Sequence, residues 1–203
     1  DYELLKERKE VKFCKKCVLS NQRPRTEFDE KGICSACNYK ERKKSIDWEK
    51  RNNELKELCD KFRSRNGQYD VIVPGSGGKD SAFTAHILKY KFKMNPLTCT
   101  WAPHEYTNIG WQNFQKWIEV GGFDNILVTP NGKVHRLLTK LAFINICHPF
   151  QPFIIGQKIV GPRITLQNDI PLIFYGENQA EYGNNIKDND SPTMDNKFFM
   201  GDK

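Results

Sequence analysis

The sequence predicts a doubly wound α/β domain built on a parallel sheet and preceded by a small cysteine-rich module. Three observations carry this expectation. From Gln68 onward, short apolar runs of strand length alternate with stretches of helical periodicity, the pattern of consecutive βαβ units. A glycine-rich loop, PGSGGKDSAF from Pro74 to Phe83, follows the first of those runs directly and opens a helix. Two C-x2-C pairs stand ahead of the whole series.

A chain of 203 residues is long enough for one sizeable core and a small appended module. Hydrophobic content of 38% and aromatic content of 12% argue against disorder, and no apolar run approaches the roughly 20 residues needed to span a bilayer. The chain opens on Asp1, and nothing near it resembles a signal peptide, so a soluble, cytoplasmic and trimmed protein is expected, with no membrane partner. Seven cysteines in a reducing compartment read as thiols or metal ligands rather than disulfides. The net charge of +7 is concentrated early: residues 1–65 hold 19 Lys and Arg against 13 Asp and Glu, and the remainder holds 13 against 12. Such a basic third can attract nucleic acid or a phosphorylated substrate, or be a plain solvated surface.

Cys14-Lys-Lys-Cys17 and Cys34-Ser-Ala-Cys37 lie sixteen residues apart, within the spacing of a four-thiolate zinc site. Each pair forms a turn that aims two sulfurs at one metal, and four protein ligands make the site structural, since no position stays open for catalysis. Lys15, Lys16, Arg23, Arg25 and Lys31 would offset its negative charge. Pro24 and Gly32 suit a turn-rich excursion between the pairs rather than a helix. From Asp47, the residues Trp48, Leu55, Leu58, Cys59 and Phe62 share one helical face, predicting a connecting helix that ends near Asn66-Gly67. The resulting division is 1–46 zinc module, 47–67 connecting helix, 68–183 α/β domain and 184–203 poorly ordered tail, the last rich in Asn and Asp.

In the body, Asp70 to Val73 reads as a strand, Asp80 to Lys93 as a helix, and Pro96 to Trp101 as a second strand. A helix over Asn108 to Val120 stops at Gly121-Gly122, and Ile126 to Thr129 is a third strand. Val134, Leu137, Leu138 and Leu141 mark a further helix, and another runs from Pro152 to Gln167 with Pro162 as a kink. Pro171 to Tyr175 closes the series as a fourth strand. In such folds, ligands sit beyond the carboxyl ends of the strands.

That places PGSGGKDSAF where an anion binds. Gly75, Gly77 and Gly78 permit close approach, the N–H groups of Ser76 to Lys79 face outward, and the Ser76 and Ser81 hydroxyls add donors. Two common phosphate loops fail by spacing: a Walker A loop needs Ser or Thr after its lysine, and a dinucleotide fingerprint counted from Gly75 needs glycine, where both meet Asp80. A carboxylate among phosphates requires a cation between them, so Asp80 reads as a magnesium ligand, with helix capping as the plainer role. Beyond the other strand ends stand Trp101-Ala-Pro-His104-Glu105 and the acidic, amide-rich Gly176-Glu177-Asn178-Gln179-Ala-Glu181-Tyr182-Gly183, the latter suited to sugar hydroxyls or a metal more than to polyanionic RNA.

The signature SGGKDS, Ser76 to Ser81, resembles the pyrophosphate loop of the Rossmann-like ATP pyrophosphatase (PP-loop) superfamily, whose members split ATP to AMP and pyrophosphate. Taken with the four-cysteine knuckle carrying TEFDEKGICSAC, the connecting helix and GENQAEYG, the chain is similar to the N-acetyl sugar amidotransferases of surface-polysaccharide (lipopolysaccharide O-antigen) and nonulosonic (pseudaminic) acid biosynthesis. The resemblance implies that ATP adenylates an acetamido oxygen and that ammonia from a separate glutaminase displaces AMP. It implies ATP, magnesium and zinc as cofactors, and an acetamido sugar or sugar nucleotide as substrate rather than nucleic acid. By position, Ser76, Gly77, Gly78, Lys79, Asp80 and Ser81 would hold pyrophosphate and magnesium, Pro74 and Trp101 would lie by the adenine, and Glu177, Asn178 and Glu181 match the acidic loop. Glu177 and Asn178 join Asp80 as candidate catalytic residues.

The rival is a tRNA-thiolating enzyme, which also combines zinc-binding pairs with SGGKDS but needs a reactive cysteine pair or an iron–sulfur cluster. After the loop only Cys99 and Cys147 occur, and Cys99 reads as core. Among the histidines, His104 stands by a strand end, while His86, His135 and His148 read as structural.

Overall fold

The computed structural model describes residues 10–23 and 26–177. They divide into two compact units, one ending at Arg51 and one running from Asn52 to Glu177.

The first unit is a pair of turns followed by short helices. Phe13 bridges Ser20 and Phe28 bridges Cys34, both antiparallel. The second turn is organised by Asp29, whose carboxylate accepts the N–H groups of Lys31 and Ile33 and the amide of Asn38, each at 2.9 Å. The Ile33 N–H and then the Asn38 amide hold that carboxyl below its usual range. Gly32 closes the turn at φ +75°, a conformation glycine adopts without a Cβ penalty. Helix α1, Ser35–Arg42, starts immediately after Cys34. The sequence reading contains no helix here, because SACNYKER carries no apolar stripe to mark one.

Helix α2, Trp48–Phe62, ends four residues before the predicted Asn66-Gly67. The physical reason is Asp70, a buried carboxylate that accepts the Ser64 N–H at 3.0 Å and the Asn95 N–H at 2.9 Å. Competing side-chain acceptors of this kind end helices. Cys59 is wholly buried as expected, and Leu55 and Phe62 pack beside it, but Trp48 and Leu58 of the predicted face are exposed.

The sheet of the second unit contains β1, Val71–Pro74, β2, Pro96–Trp101, and β3, Asp124–Val128, all parallel and in that spatial order. The predicted fourth strand survives as one parallel bridge: Ile72 donates to Leu172 O at 2.8 Å and accepts from the Phe174 N–H at 2.9 Å, on the side of β1 away from β2. Strand β3 begins two residues earlier than predicted, since the Asp124 carbonyl accepts the Thr98 hydroxyl at 2.7 Å. Helix α3, Lys79–His86, continues as a π-type turn over Ile87–Lys91. Helix α4 spans Asn108–Glu119, α5 Gly132–Ile146 and α6 Gln151–Asn168, the last running on through Pro162.

Alternation along β1 assigns the two faces. Val71 and Val73 pack with Leu88, Phe114 and Trp117 from α3, its continuation and α4, while Ile72 faces the side of Val160 and Ile164 from α6. Burying an aliphatic side chain of this kind contributes about 1.5–3 kcal/mol, so β1 is the structural axis of the unit. The fold is therefore mixed α/β with a parallel sheet covered on both faces. The chain proceeds from β1 to β2 and β3 and then returns to the far side of β1, so the reversal of direction falls at the end of β1.

Candidate functional site

A parallel sheet whose strand order reverses opens a crevice at the carboxyl end of the strand where it does so. That crevice is occupied here by Ser76 to Ser81. The Gly75 N–H donates to Cys99 O at 2.9 Å, which clips the loop to β2 as it leaves the sheet. Gly77 stands at φ +82°, and a Cβ there would lie 2.8 Å from the Phe114 Cα, so both backbone angle and space demand glycine. Helix α3 then begins at Lys79 with Gly78 as its cap, and no side chain caps the first turn. Its first-turn N–H groups have no partner within the helix and constitute an anion site.

The side chains around this turn are polar. The Ser81 hydroxyl donates to Gly78 O at 3.1 Å, and the Lys79 ammonium donates to Asp80 Oδ1 at 2.7 Å. From the other side of β1 comes Gly176, where an added Cβ would lie 2.7 Å from the Asp80 carbonyl carbon and 2.8 Å from the Ser81 nitrogen. The segment after the fourth strand position is therefore pressed against the first turn of α3. Gly176→Ala is expected to lower stability by about 1–3 kcal/mol, since backbone must shift to admit the methyl. Mg-ATP is expected to raise the melting temperature of the wild-type chain and to leave that of this variant unchanged; thermal melts with and without Mg-ATP measure both.

The four cysteines form the second arrangement. Their sulfurs all lie within 4.8 Å of one another, with Cys17 and Cys34 at 3.6 Å and Cys14 and Cys37 at 4.0 Å. Zinc–sulfur bonds of about 2.3 Å in a tetrahedron require sulfur–sulfur edges of about 3.8 Å, so the donor set fits one mononuclear ion. A cubane cluster puts a separate iron under each thiolate and spreads the sulfurs farther apart than this. The Cys14 sulfur accepts N–H bonds from Cys34 at 3.2 Å and Lys16 at 3.3 Å. Burial alone would raise the Cys14 thiol, but these N–H groups outweigh it and bring it down to about 6. Cys37 is pushed up to about 12, by burial and then by its thiol neighbours. Four thiolates so close together need a cation to coexist. Lys16 is tied to Glu41 at 2.7 Å, and Lys16 and then Lys44 hold that carboxyl at about 2.

Of the other predicted residues, Pro74 ends β1 in register with Cys99, and Trp101 ends β2 two residues farther on, in register with Val128. Glu177 is exposed just after Gly176, whereas Asn178, Glu181 and the 184–203 tail lie outside the described residues, as do Pro24 and Arg25. Cys99 is fully buried and pushed up to about 12 by desolvation, as a core thiol should be. His135 departs from its structural reading. It is buried, its Nε2 has no hydrogen-bond partner, and it stacks on His104 at 4.1 Å. No sequence signal marks this pair, because the residues lie 31 positions apart and meet only through the β2 and α5 ends. Among the described residues, no helix is long and apolar enough to cross a membrane.

No family model matches the chain. It is 33% identical over 94 residues to an uncharacterized protein of Methanocaldococcus jannaschii, a match covering 46% of this chain and 33% of that protein. Among solved structures it is similar to the U34-tRNA thiolase NcsA from Methanococcus maripaludis with its 4Fe-4S cluster, at 19% identity and a TM-score of 0.42, covering 83% of this chain and 55% of that one. The chain thus spans about a third of the curated relative's length. Neither likeness is long or close enough to assign a family.

Proposed function

We propose that the chain is an ATP-dependent enzyme that splits ATP to AMP and pyrophosphate and uses the energy to convert an acetamido sugar into an acetamidino sugar. The observation that carries ATP use is the SGGKDS loop at the reversal point of the sheet, with the uncapped first turn of α3 ready for an anion. The Asp80 carboxylate beside that turn calls for magnesium when the phosphates bind, and magnesium would supply charge neutralisation between them.

The acetamido oxygen attacks the α-phosphorus and pyrophosphate leaves, met by the loop's N–H donors. Ammonia then adds to the imidate carbon, and AMP departs with the former amide oxygen, leaving the amidine. An amide is a poor electrophile, and only this activation makes neutral ammonia a sufficient nucleophile. The resemblance in TEFDEKGICSAC and GENQAEYG favours the sugar acceptor, which would place the chain in the making of surface polysaccharide or nonulosonic acids, with a separate glutaminase supplying ammonia. Thiolation of a tRNA base would need a reactive thiol or a cluster by the loop. Among the described residues, the only metal-competent cysteine group is the knuckle; Cys99 is sealed in the core, and Cys147 is an exposed thiol at the C-terminus of α5 that belongs to no cysteine group.

The test is AMP release from Mg-ATP with ammonium, comparing acetamido sugars and sugar nucleotides with bulk tRNA. AMP formed only with a sugar supports the reading. Turnover stimulated by tRNA instead would overturn it in favour of thiolation.

A further inference from the structure

Helix α5 leaves an apolar face without a partner. Of its residues only His135 is buried. Val134, Leu137, Leu141 and Ile144 recur at i, i+3, i+7 and i+10, which is one helical face, and all four are exposed, Leu137 at 56% and Ile144 at 61%. At the turn into α6, Phe143, Ile146 and Phe150 are exposed as well. Exposed apolar residues scattered singly need no explanation, but a continuous stripe of them marks a contact surface. Beside the stripe run Lys133, Arg136 and Lys140 at i, i+3 and i+7, all exposed. Lys140 stands one turn from both Leu137 and Ile144, so its methylene stem can extend the apolar stripe while the ammonium reaches outward.

Charge decides what covers this face. Between Asp124 and Asp169 the chain has five Lys or Arg and no acidic residue, although 25 of its 203 residues are acidic. Neither α5 nor α6 therefore offers a carboxylate to pair with the basic stripe. A second copy seated face to face would bring the same cations and no carboxylate, so like charges would meet. An anionic bilayer answers both features, taking the leucine, isoleucine and phenylalanine side chains below its headgroups and the Lys and Arg side chains among its phosphates. We infer that α5 and the turn into α6 rest on the surface of an anionic phospholipid bilayer. The expectation of no membrane partner rests on the length needed to span, and a helix lying in the headgroup plane requires no spanning run. The contact is independent of the proposed reaction, so either can fail without the other.

Co-sedimentation with lipid vesicles tests the inference. The chain should pellet with vesicles of phosphatidylcholine mixed with phosphatidylglycerol and far less with phosphatidylcholine alone, and the bound fraction should fall as salt screens the headgroups. Replacing Lys133, Arg136 and Lys140 together by glutamine should weaken partitioning by about a hundredfold, at about fivefold for each basic residue. Leu137→Glu combined with Ile144→Glu should abolish it and leave the thermal melt of the chain in place, since both side chains are already more than half exposed. Binding that survives the two glutamates would reduce the contact to charge alone and overturn the inference, as would equal binding to both kinds of vesicle. An absence of vesicle binding also overturns it; a dimer in light scattering that the two glutamates split would then assign the face to a second copy.

Discussion

Replacing Cys34 by serine should release the bound metal and unfold the N-terminal unit while leaving the α/β unit folded. The expectation comes from what that unit buries. Its only buried apolar residues among those described are Cys14 and Cys34 themselves, and Val11, Phe13 and Val18 are exposed. Without the thiolates brought together around a cation, there is no core to offset the entropy of ordering the chain. Structural zinc in small four-ligand modules supplies about 10–16 kcal/mol of apparent binding energy at neutral pH, and this is folding energy outright.

Cys34 is the most connected of the four. It is fully buried, stands 3.6 Å from the Cys17 sulfur, donates its N–H to the Cys14 sulfur, bridges Phe28 and caps α1. Elemental analysis should find one zinc per wild-type chain and almost none in the variant. Hydrogen exchange should show protection lost over residues 10–46 and kept over β1 and β2. Protection of the knuckle persisting without metal would refute a metal-dependent fold. Iron with acid-labile sulfide in place of zinc would refute the mononuclear centre that the sulfur spacing supports.

Legibility in the sequence followed how local the determining physics is. The C-x2-C turns are fixed within four residues each, and the four sulfurs meet as their spacing implies. Strand β2 agrees to the residue, because PLTCTW is an uncharged run of strand length whose apolar residues and two threonines are buried on both faces. The α2 terminus was missed because it is decided by Asp70, eight residues beyond the helix and just ahead of β1. Helix α1 was missed because its place is set by a knuckle rather than by an apolar face of its own. The fourth strand was overcalled: Pro171 and the short run after it pair with β1 at only one position. At the site, the loop was visible as a string of residue types, but its closure by Gly176 and the stacking of His104 on His135 depend on contacts across the sheet edge that no local pattern encodes.

Asp80→Ala should reduce AMP formation by about 10²–10³-fold, the scale seen when one preorganised electrostatic group is removed from a transition state. Its stability should fall by no more than about 1 kcal/mol. The side chain is nearly half exposed, sits in the first turn of α3 and has one ion pair, to the more exposed Lys79, so its structural worth is that of an acidic residue at a helix N-terminus. The two readings of Asp80 predict opposite results with nucleotide. If it only complements the helix dipole, removing its charge relieves repulsion toward phosphate: Mg-ATP should bind more tightly and turnover should survive. If it holds magnesium among the phosphates, magnesium-dependent binding should weaken and the chemical step should slow. Asp80→Asn separates charge from shape, because the amide keeps the side chain's volume and an oxygen donor but loses the anion. The magnesium reading requires Asn to recover little of the rate, and requires the deficit of either variant to shrink at high magnesium. Wild-type AMP formation in Asp80→Ala would remove the carboxylate from the mechanism and leave the backbone donors of Ser76 to Ser81 as the part of the loop that acts on the phosphates.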